Sequence, residues 1–176
     1  KGYFFSKVDV IVESLSDNKV NLIYNVEIGD KAKIKKISFI GDKIFKDRKL
    51  RSIIVSEEYK FWKFISGKKY LNQNLISLDE RLLKNFYLNK GFYNVKINSS
   101  FARLINDTEF ELIYNIIPNK RYSFNQISLN LPLDFEQKNF DDLNNFFGKL
   151  KGKQYSLFTI EKILDEIDKI ILDKEY

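Results

Sequence analysis

The feature that most constrains this chain is an internal repeat with a period of about 90 residues. Residues 90–129 match residues 1–39, because each stretch opens with glycine and aromatic residues, alternates like a strand, breaks at a polar turn and returns. The returning strands read Leu-Ile-Tyr-Asn-Val at 22–26 and Leu-Ile-Tyr-Asn-Ile at 112–116. A self-match at a fixed offset predicts tandem copies of one supersecondary unit.

The repeated unit is predicted to run β-α-α-β-β, which is an α+β fold. A strand at 33–40 is followed by a short helix, and a longer helix capped by Asn74 has leucines at helical spacing. Strands at about 93–104 and 109–117 complete the unit. By the period, we expect the C-terminal hairpin of a preceding unit at 1–30, a complete unit at 31–119, and the β-α-α part of a following unit at 120–176. The first strand of that following unit is predicted at 122–129, and the chain is expected to be a fragment of a longer array.

The composition removes several kinds of site. The chain contains no cysteine and no histidine, which excludes disulfides, thiolate metal sites and the commonest acid/base residue. No run of apolar residues exceeds three, so no segment is predicted to span a membrane as a helix. We therefore expect neither a metal nor another cofactor.

The formal net charge of +6 allows a basic nucleic-acid-binding module as a distant alternative. The lysines are dispersed and interleaved with acidic residues, however, which is typical of an ordinary solvated surface. A KH-type βαα module would need a Gly-x-x-Gly loop, and Gly148 and Gly152 stand one residue too far apart. No nucleic-acid partner is therefore expected.

Catalysis is not expected either. Three pairs of neighbouring acidic residues resemble candidate carboxylate pairs: Glu57-Glu58, Asp79-Glu80 and Asp141-Asp142. Adjacent side chains diverge in a helix or a strand, and no partner base accompanies them, so we interpret all three pairs as solvated surface.

An irregular aromatic segment separates the two helices of the complete unit. It carries Tyr59, Phe61, Trp62 and Phe64, and Gly67 closes it. Such a segment is more often a connector whose rings fold back over the core, and we prefer that interpretation. The alternative is a secondary partner surface formed by Phe61, Trp62 and Phe64.

The unit resembles the POTRA domain, the polypeptide-transport-associated module that precedes outer-membrane β-barrel assembly proteins. The residues that carry the resemblance are Ile34-x-x-Ile37-x-Phe39-Ile40-Gly41 and a stripe of Leu75, Leu78, Leu82 and Tyr87 before Lys90-Gly91-Phe92. The likeness is to the third POTRA domain of BamA-type barrel-assembly factors, with parts of the second and fourth on either side. The family's terminal Glu-Gly is approximated at Glu27-Ile28-Gly29 and lost at Ile117-Pro118-Asn119.

The resemblance implies a three-stranded mixed sheet covered by two helices, and a non-enzymatic role in outer-membrane protein assembly. It also implies a periplasmic location, within an outer-membrane protein of a Gram-negative bacterium. The implied partners are unfolded outer-membrane proteins, accessory lipoproteins and a C-terminal membrane β-barrel of the same full-length chain. An array from a two-partner secretion or autotransporter-assembly protein would have the same physics with another client.

The first strand of the repeated hairpin is the candidate binding edge, since an edge strand presents unpaired N–H and C=O groups to another extended chain. Its polar centre is atypical of a buried strand, and the predicted site comprises Val95, Lys96, Ile97, Asn98, Ser99, Ser100, Phe101, Ala102 and Arg103. The residues alone favour equally an inert edge blunted by Lys96 and Arg103. The resemblance favours peptide binding by β-augmentation.

The two partial repeats suggest an association between copies. The N-terminal hairpin lacks a βαα segment and the C-terminal βαα segment lacks a hairpin, so two molecules are expected to complement each other as in domain swapping.

Overall fold

The computed structural model describes residues 3–41, 43–62 and 66–175, and for 98–101 it describes the backbone alone. The strands are β1 (Lys7–Ser14), β2 (Val20–Glu27), β3 (Lys33–Gly41), β4 (Lys96–Asn106) and β5 (Glu109–Ile117). The α-helices are α1 (Asp47–Arg51), α2 (Gln73–Leu88), α3 (Asp141–Leu150) and α4 (Leu157–Asp173), with 3-10 turns at Gly67–Lys69 and Gln137–Phe140. The predicted α+β class is confirmed.

The contacts divide the chain into two compact units. The first unit holds residues 1–40, 45–80 and 99–115, and the second holds 41–44, 81–98 and 116–176. The boundary passes through α2, β4 and β5 rather than between successive repeats.

Strand β5 is the centre of a three-stranded sheet with the order β3-β5-β4. Lys35 contacts Glu109, and further along both strands Phe39 stacks on Tyr114 with ring centroids 5.6 Å apart. Because these contacts advance in the same direction along both chains, β3 and β5 run parallel. The turn at 107–108 joins β4 to β5 as an antiparallel hairpin. The sheet is therefore mixed, as predicted.

The central strand is buried on both faces. Leu112, Tyr114 and Ile116 are fully buried, and their spacing of two places them on one face. Glu111 and Ile113 on the opposite face are also buried. A strand shielded in this way belongs in the interior of a sheet, which leaves β3 and β4 as the two outer strands.

The carboxylate of Asp79 on α2 is fully buried and accepts hydrogen bonds from three donor groups. Its donors are the backbone N–H of Val55 at 2.5 Å, the N–H of Ser56 at 3.3 Å and the hydroxyl of Tyr114 at 2.6 Å. Burial, together with the bond to Asp79, raises the pKa of the Tyr114 phenol. The prediction of solvated surface is thus wrong for Asp79, since a buried charge is stable where donors surround it.

The N-cap of helix α2 lies two residues before the predicted one. The side chain of Asn72 accepts a hydrogen bond from the N–H of Asn74 at 2.9 Å, so Asn72 is the cap and Asn74 lies inside the helix. Helix α2 ends at Leu88, and Gly91 shortly after it adopts a φ of +86°.

The turn after α2 is joined to the start of the following repeat, within the second compact unit. The side-chain oxygen of Asn89 accepts from the N–H of Phe158 at 2.7 Å, and so caps the N-terminus of α4. The N–H of Tyr122 donates to the carbonyl of Gly91 at 2.8 Å. A Cβ at position 91 would lie 2.8 Å from Cγ of Arg121, so this approach requires glycine.

Residues 122–129, which were predicted as a strand, do not form a ladder in the structure. They make an isolated bridge at Ser123↔Gln154, equivalent to Lys33↔Tyr70 in the complete repeat. The next hydrogen bond also recurs, as Leu71 N–H to Ala32 at 2.9 Å and Tyr155 N–H to Tyr122 at 3.0 Å. The prediction of a strand is wrong for these residues, because a ladder needs a partner strand and their described pairing is limited to that isolated bridge.

Helices α3 and α4 form a hydrophobic core of their own. Its buried members are Phe140, Leu143, Phe147, Leu150 and Ile163. The partly buried side chains packed against them include Phe124, Ile127 and Leu129. Residues 124–129 therefore hold their position by packing rather than by strand pairing.

The N-terminal hairpin has one apolar face that is largely exposed. Asp17 and Asn18 adopt φ values of +64° and +56°, as the predicted turn requires. The register pairs Val8 with Val26, Val10 with Tyr24 and Val12 with Leu22, so these six side chains share one face. They are between 51% and 61% exposed. We call this set the hairpin's apolar face.

We expect Asp79→Ala to lower the free energy of unfolding by about 3 kcal/mol, because two backbone N–H groups and a phenol lose their buried acceptor. Tyr114→Phe removes one donor and is expected to cost about 1–2 kcal/mol. Urea unfolding, monitored by circular dichroism, measures the free energy of unfolding of each variant. Asp165→Ala, at an exposed position on α4, is the control, and an equal loss there would contradict the assignment.

Candidate functional site

The outer edge of β3 is covered by the connector that follows α1. The N–H of Tyr59 donates to the carbonyl of Ile34 at 2.6 Å, and the N–H of Ile37 donates to the Glu58 carboxylate at 3.0 Å. Arg51 donates to the carbonyl of Ile37 at 2.8 Å and also binds Glu58. Glu58 is thus an edge-covering residue rather than plain solvated surface, and β3 offers little free backbone to another strand.

Strand β4 lies at the opposite edge of the sheet and contains most of the predicted site. Lys96 and Arg103 are exposed, Ile97 and Ala102 are half-buried, and Val95 is a buried residue just before the strand. The residues Asn98, Ser99, Ser100 and Phe101 belong to the strand, but their side chains lie outside the description. Among the described backbone groups of β4, none bonds to a segment outside the sheet.

Arg103 binds across the sheet to Glu111 on the central strand. The Glu111 carboxylate also accepts from the Ser38 hydroxyl at 2.6 Å and contacts the Lys36 ammonium at 3.0 Å. The bond from Ser38, followed by those from Lys36 and Arg103, lowers the pKa of Glu111 to about 2. The guanidinium of Arg103 is therefore engaged over this face of the sheet.

The exposed edge extends beyond the predicted site. Leu104 and Ile105 are 53% and 49% exposed. Neighbouring residues in a strand point to opposite faces, so β4 is uncovered on both sides at this end. Leu104 and Ile105 are consecutive apolar residues, which breaks the alternation of polar and apolar residues along the strand. This break is the sequence signal from which a longer site could have been predicted.

An open cavity of about 990 Å³ lies beside the start of β4, within the second compact unit. Its lining includes Val95, Lys96, Tyr93, Tyr122 and Tyr155. The Tyr93 ring contacts the other two tyrosine rings edge to face, with centroids 6.0 and 5.2 Å away. Periodicity alone did not reveal this site, because its tyrosines come from two different repeats.

Two described rings of the aromatic connector, Phe61 and Trp62, are not folded over the core as expected. Phe61 and Trp62 are 70% and 59% exposed, and their rings meet edge to face with centroids 4.7 Å apart. Tyr59 is half-buried and so partly fits the expectation of rings that fold back over the core. Phe64, the third residue of the alternative partner surface, lies outside the described residues.

Two further kinds of feature are absent from the described residues. No group of histidine, cysteine, aspartate or glutamate side chains in these ranges could hold a metal ion. None of the helices described there has both the length and the apolar character needed to cross a membrane.

Comparisons with known proteins agree on one family. The sequence model described as "POTRA: Surface antigen variable number repeat" matches residues 32–119. The chain is 23% identical over 146 residues to the outer membrane protein assembly factor BamA of Neorickettsia risticii, covering 83% of this chain and 19% of that protein. It is 23% identical over 161 residues to BamA of Buchnera aphidicola, covering 91% of this chain and 26% of that protein.

A solved structure shares the fold. The crystal structure of POTRA domains 3–5 of Haemophilus influenzae BamA superposes with a TM-score of 0.61 at 14% identity, over 96% of this chain and 63% of that one. The chain thus spans about a fifth to a quarter of the curated relatives it matches.

The lowered pKa of Glu111 predicts a loss of stability in acid. The folded pKa is below the unfolded value of about 4.3, so the unfolded state binds more protons as the pH falls through this range. The stabilisation by Glu111 is present above about pH 4.3 and is expected to disappear towards pH 2. Urea midpoints between pH 7 and pH 2 measure this change.

We expect Glu111→Gln to flatten that part of the pH profile and to lower the midpoint at pH 7. Glu161→Gln, at an exposed position on α4, controls for the substitution itself. A profile for Glu111→Gln that falls as steeply as the wild type would show that Glu111 does not carry the effect.

Proposed function

This chain belongs to the POTRA family, and we propose that it is a non-enzymatic periplasmic module of a machine that assembles outer-membrane proteins. The family match at 32–119 and the similarity to BamA proteins support the setting. The observation that carries a binding role is the contrast between the two sheet edges, since β3 is covered by the connector and β4 is not.

The proposed mechanism is addition of an extended polypeptide to β4. Such a chain pairs its main-chain groups with the outward N–H and C=O groups of 96–103, so affinity depends little on its sequence. That suits clients that are unfolded outer-membrane proteins of many sequences. The engagement of Arg103 by Glu111 supports this proposal, because the guanidinium is held over the sheet face.

Weak side-chain preference would come from the cavity beside β4. Alternate side chains of an added strand face the same side of the sheet, and one of them would reach the cavity lined by Tyr93, Tyr122 and Tyr155. An aromatic side chain suits such a tyrosine-lined site, because edge-to-face contacts favour it.

Accessory lipoproteins are the second proposed class of partner. The exposed Leu104 and Ile105 at the far end of β4 provide apolar contacts that a folded partner can cover while it pairs with the strand. The β-barrel of a full-length chain is the remaining proposed partner.

Backbone methylation tests strand addition without changing this chain. Two versions of one unstructured outer-membrane-protein peptide carry N-methyl groups, in one peptide at alternate residues and in the other at every residue. Because one edge of the peptide must supply its N–H groups, the fully methylated version is expected to lose binding, whereas the alternately methylated version keeps one unmodified edge and is expected to bind. NMR shifts in the amides of 95–103 of the whole chain measure the binding.

The outer strand β3 provides the internal control, because its edge is already covered. Shifts confined to β4 and lost with one methylated peptide are the expected result. Equal loss with both peptides, or shifts centred on Trp62 instead, would contradict strand addition at β4.

The partial repeats support a further part of the proposal, that two copies complement each other. The hairpin's apolar face corresponds by the repeat to the face of the β4–β5 hairpin that carries Leu112, Tyr114 and Ile116. Residues 122–173 repeat the bridge and hydrogen bond of the complete unit but have no hairpin. The hairpin of one copy would therefore add to residues 122–129 of another and bury its apolar face on α3 and α4.

We expect a mass of twice 20.9 kDa in light scattering at high concentration. Val10→Lys with Tyr24→Lys, on the apolar face, is expected to return the mass to 20.9 kDa, because two ammonium groups cannot be buried unpaired. Asp9→Lys with Asn25→Lys alters a cross-strand pair on the opposite face and should leave the larger mass unchanged. A wild-type chain that stays at the lower mass would refute complementation.

A further inference from the structure

The connector between α1 and α2 presents two adjacent aromatic rings to solvent. Phe61 and Trp62 are 70% and 59% exposed and contact each other edge to face. Single exposed apolar side chains are ordinary. Adjacent exposed apolar side chains with polar residues around them are typical of a surface that binds a protein or a membrane.

Lysines contact the Trp62 ring and two neighbouring tyrosine rings. The Lys60 ammonium lies 5.7 Å from the centre of the Trp62 ring. Tyr59 directly precedes Lys60 in the chain, and the ammonium groups of Lys33 and Lys69 lie 5.2 and 5.1 Å from the centre of its ring. Lys31 and Lys69 also lie 5.2 and 5.6 Å from the Tyr70 ring.

The charge of this region is positive. The Tyr59 and Tyr70 rings are 6.5 Å apart, so the lysines that contact them are concentrated in a small area. Residues 30–33 and 57–62 with 66–70 contain five lysines and three glutamates or aspartates. One of these acids, Glu58, is already bound by Arg51, which leaves an excess of three positive charges over Asp30 and Glu57.

We propose that this basic aromatic surface, formed by Lys31, Lys33, Lys60, Lys68, Phe61 and Trp62, binds the surface of an anionic lipid bilayer. Tryptophan and phenylalanine enter the interface between headgroups and acyl chains, and lysines beside them attract anionic headgroups. A protein hot spot more often places its aromatic anchors in a packed pocket, whereas these rings project outward. The surface is separate from the strand-adding edge and goes beyond the proposed function.

The single tryptophan of the chain makes the surface directly observable. Vesicles of equal parts phosphatidylglycerol and phosphatidylcholine are expected to shift Trp62 emission to shorter wavelength, and brominated acyl chains are expected to quench it. Pure phosphatidylcholine vesicles should produce little change. Lys60→Glu with Lys68→Glu should weaken partitioning more than tenfold, since each charge near such a surface is worth about fivefold.

Phe61→Ser should reduce both the quenching and the partitioning while it retains the probe. The matched control is Phe158→Ser with Lys162→Glu, because Phe158 is 56% exposed and Lys162 lies 4.9 Å from its ring centre. The control variant should bind vesicles like the wild type. Circular dichroism verifies that every variant remains folded.

Three results would overturn the proposal. The first is binding without a change in Trp62 emission, and the second is an equal loss in the Phe158 and Phe61 variants. The third is binding to polyglutamate but not to anionic vesicles, which would assign the surface to an acidic protein partner. Loss of strand addition to β4 would leave the vesicle result unaffected, so the two proposals fail separately.

Discussion

The buried carboxylate of Asp79 is the interaction on which much of the complete repeat depends. It fixes the chain after α1 by accepting from Val55 and Ser56, and it fixes the central strand through Tyr114. A few residues later the same chain lies along β3, where Glu58 accepts from a backbone N–H of that strand. The bond that anchors the helix therefore also determines which edge of the sheet is covered, because it positions the segment that covers it.

The elements that the sequence predicts well are those with a local or repeated signal. The hairpin turn at Asp17 and Asn18, the class of the fold and the end of α2 before Gly91 all follow from residue types at fixed spacing. The burial of Asp79 does not, because its donors are backbone groups of a segment with no periodic pattern. Residues 122–129 have the sequence of a strand, but a strand also requires a non-local partner that no pattern in those residues supplies.

The candidate site was predictable in the same uneven way. The repeat places the edge at 96–103 because it aligns that strand with the first strand of the other hairpin. The engagement of Arg103 was not predictable, since Glu111, Ser38 and Lys36 meet it only when three strands are paired. Asn119 shows a subtler limit: it holds a φ of +60° where the preceding repeat has Gly29 at +66°. A residue that departs from the expected glycine thus preserves the backbone conformation.

The contact between Asn89 and the N-terminus of α4 has a consequence for the order in which these two segments fold. A helix that has its Phe158 amide bound by Asn89 starts more easily once the turn after α2 is folded, because the costly first turn then meets a fixed acceptor. At this junction the acceptor lies on the N-terminal side of the helix. A chain that emerges N-terminus first would therefore form α4 beside a turn that is already in place.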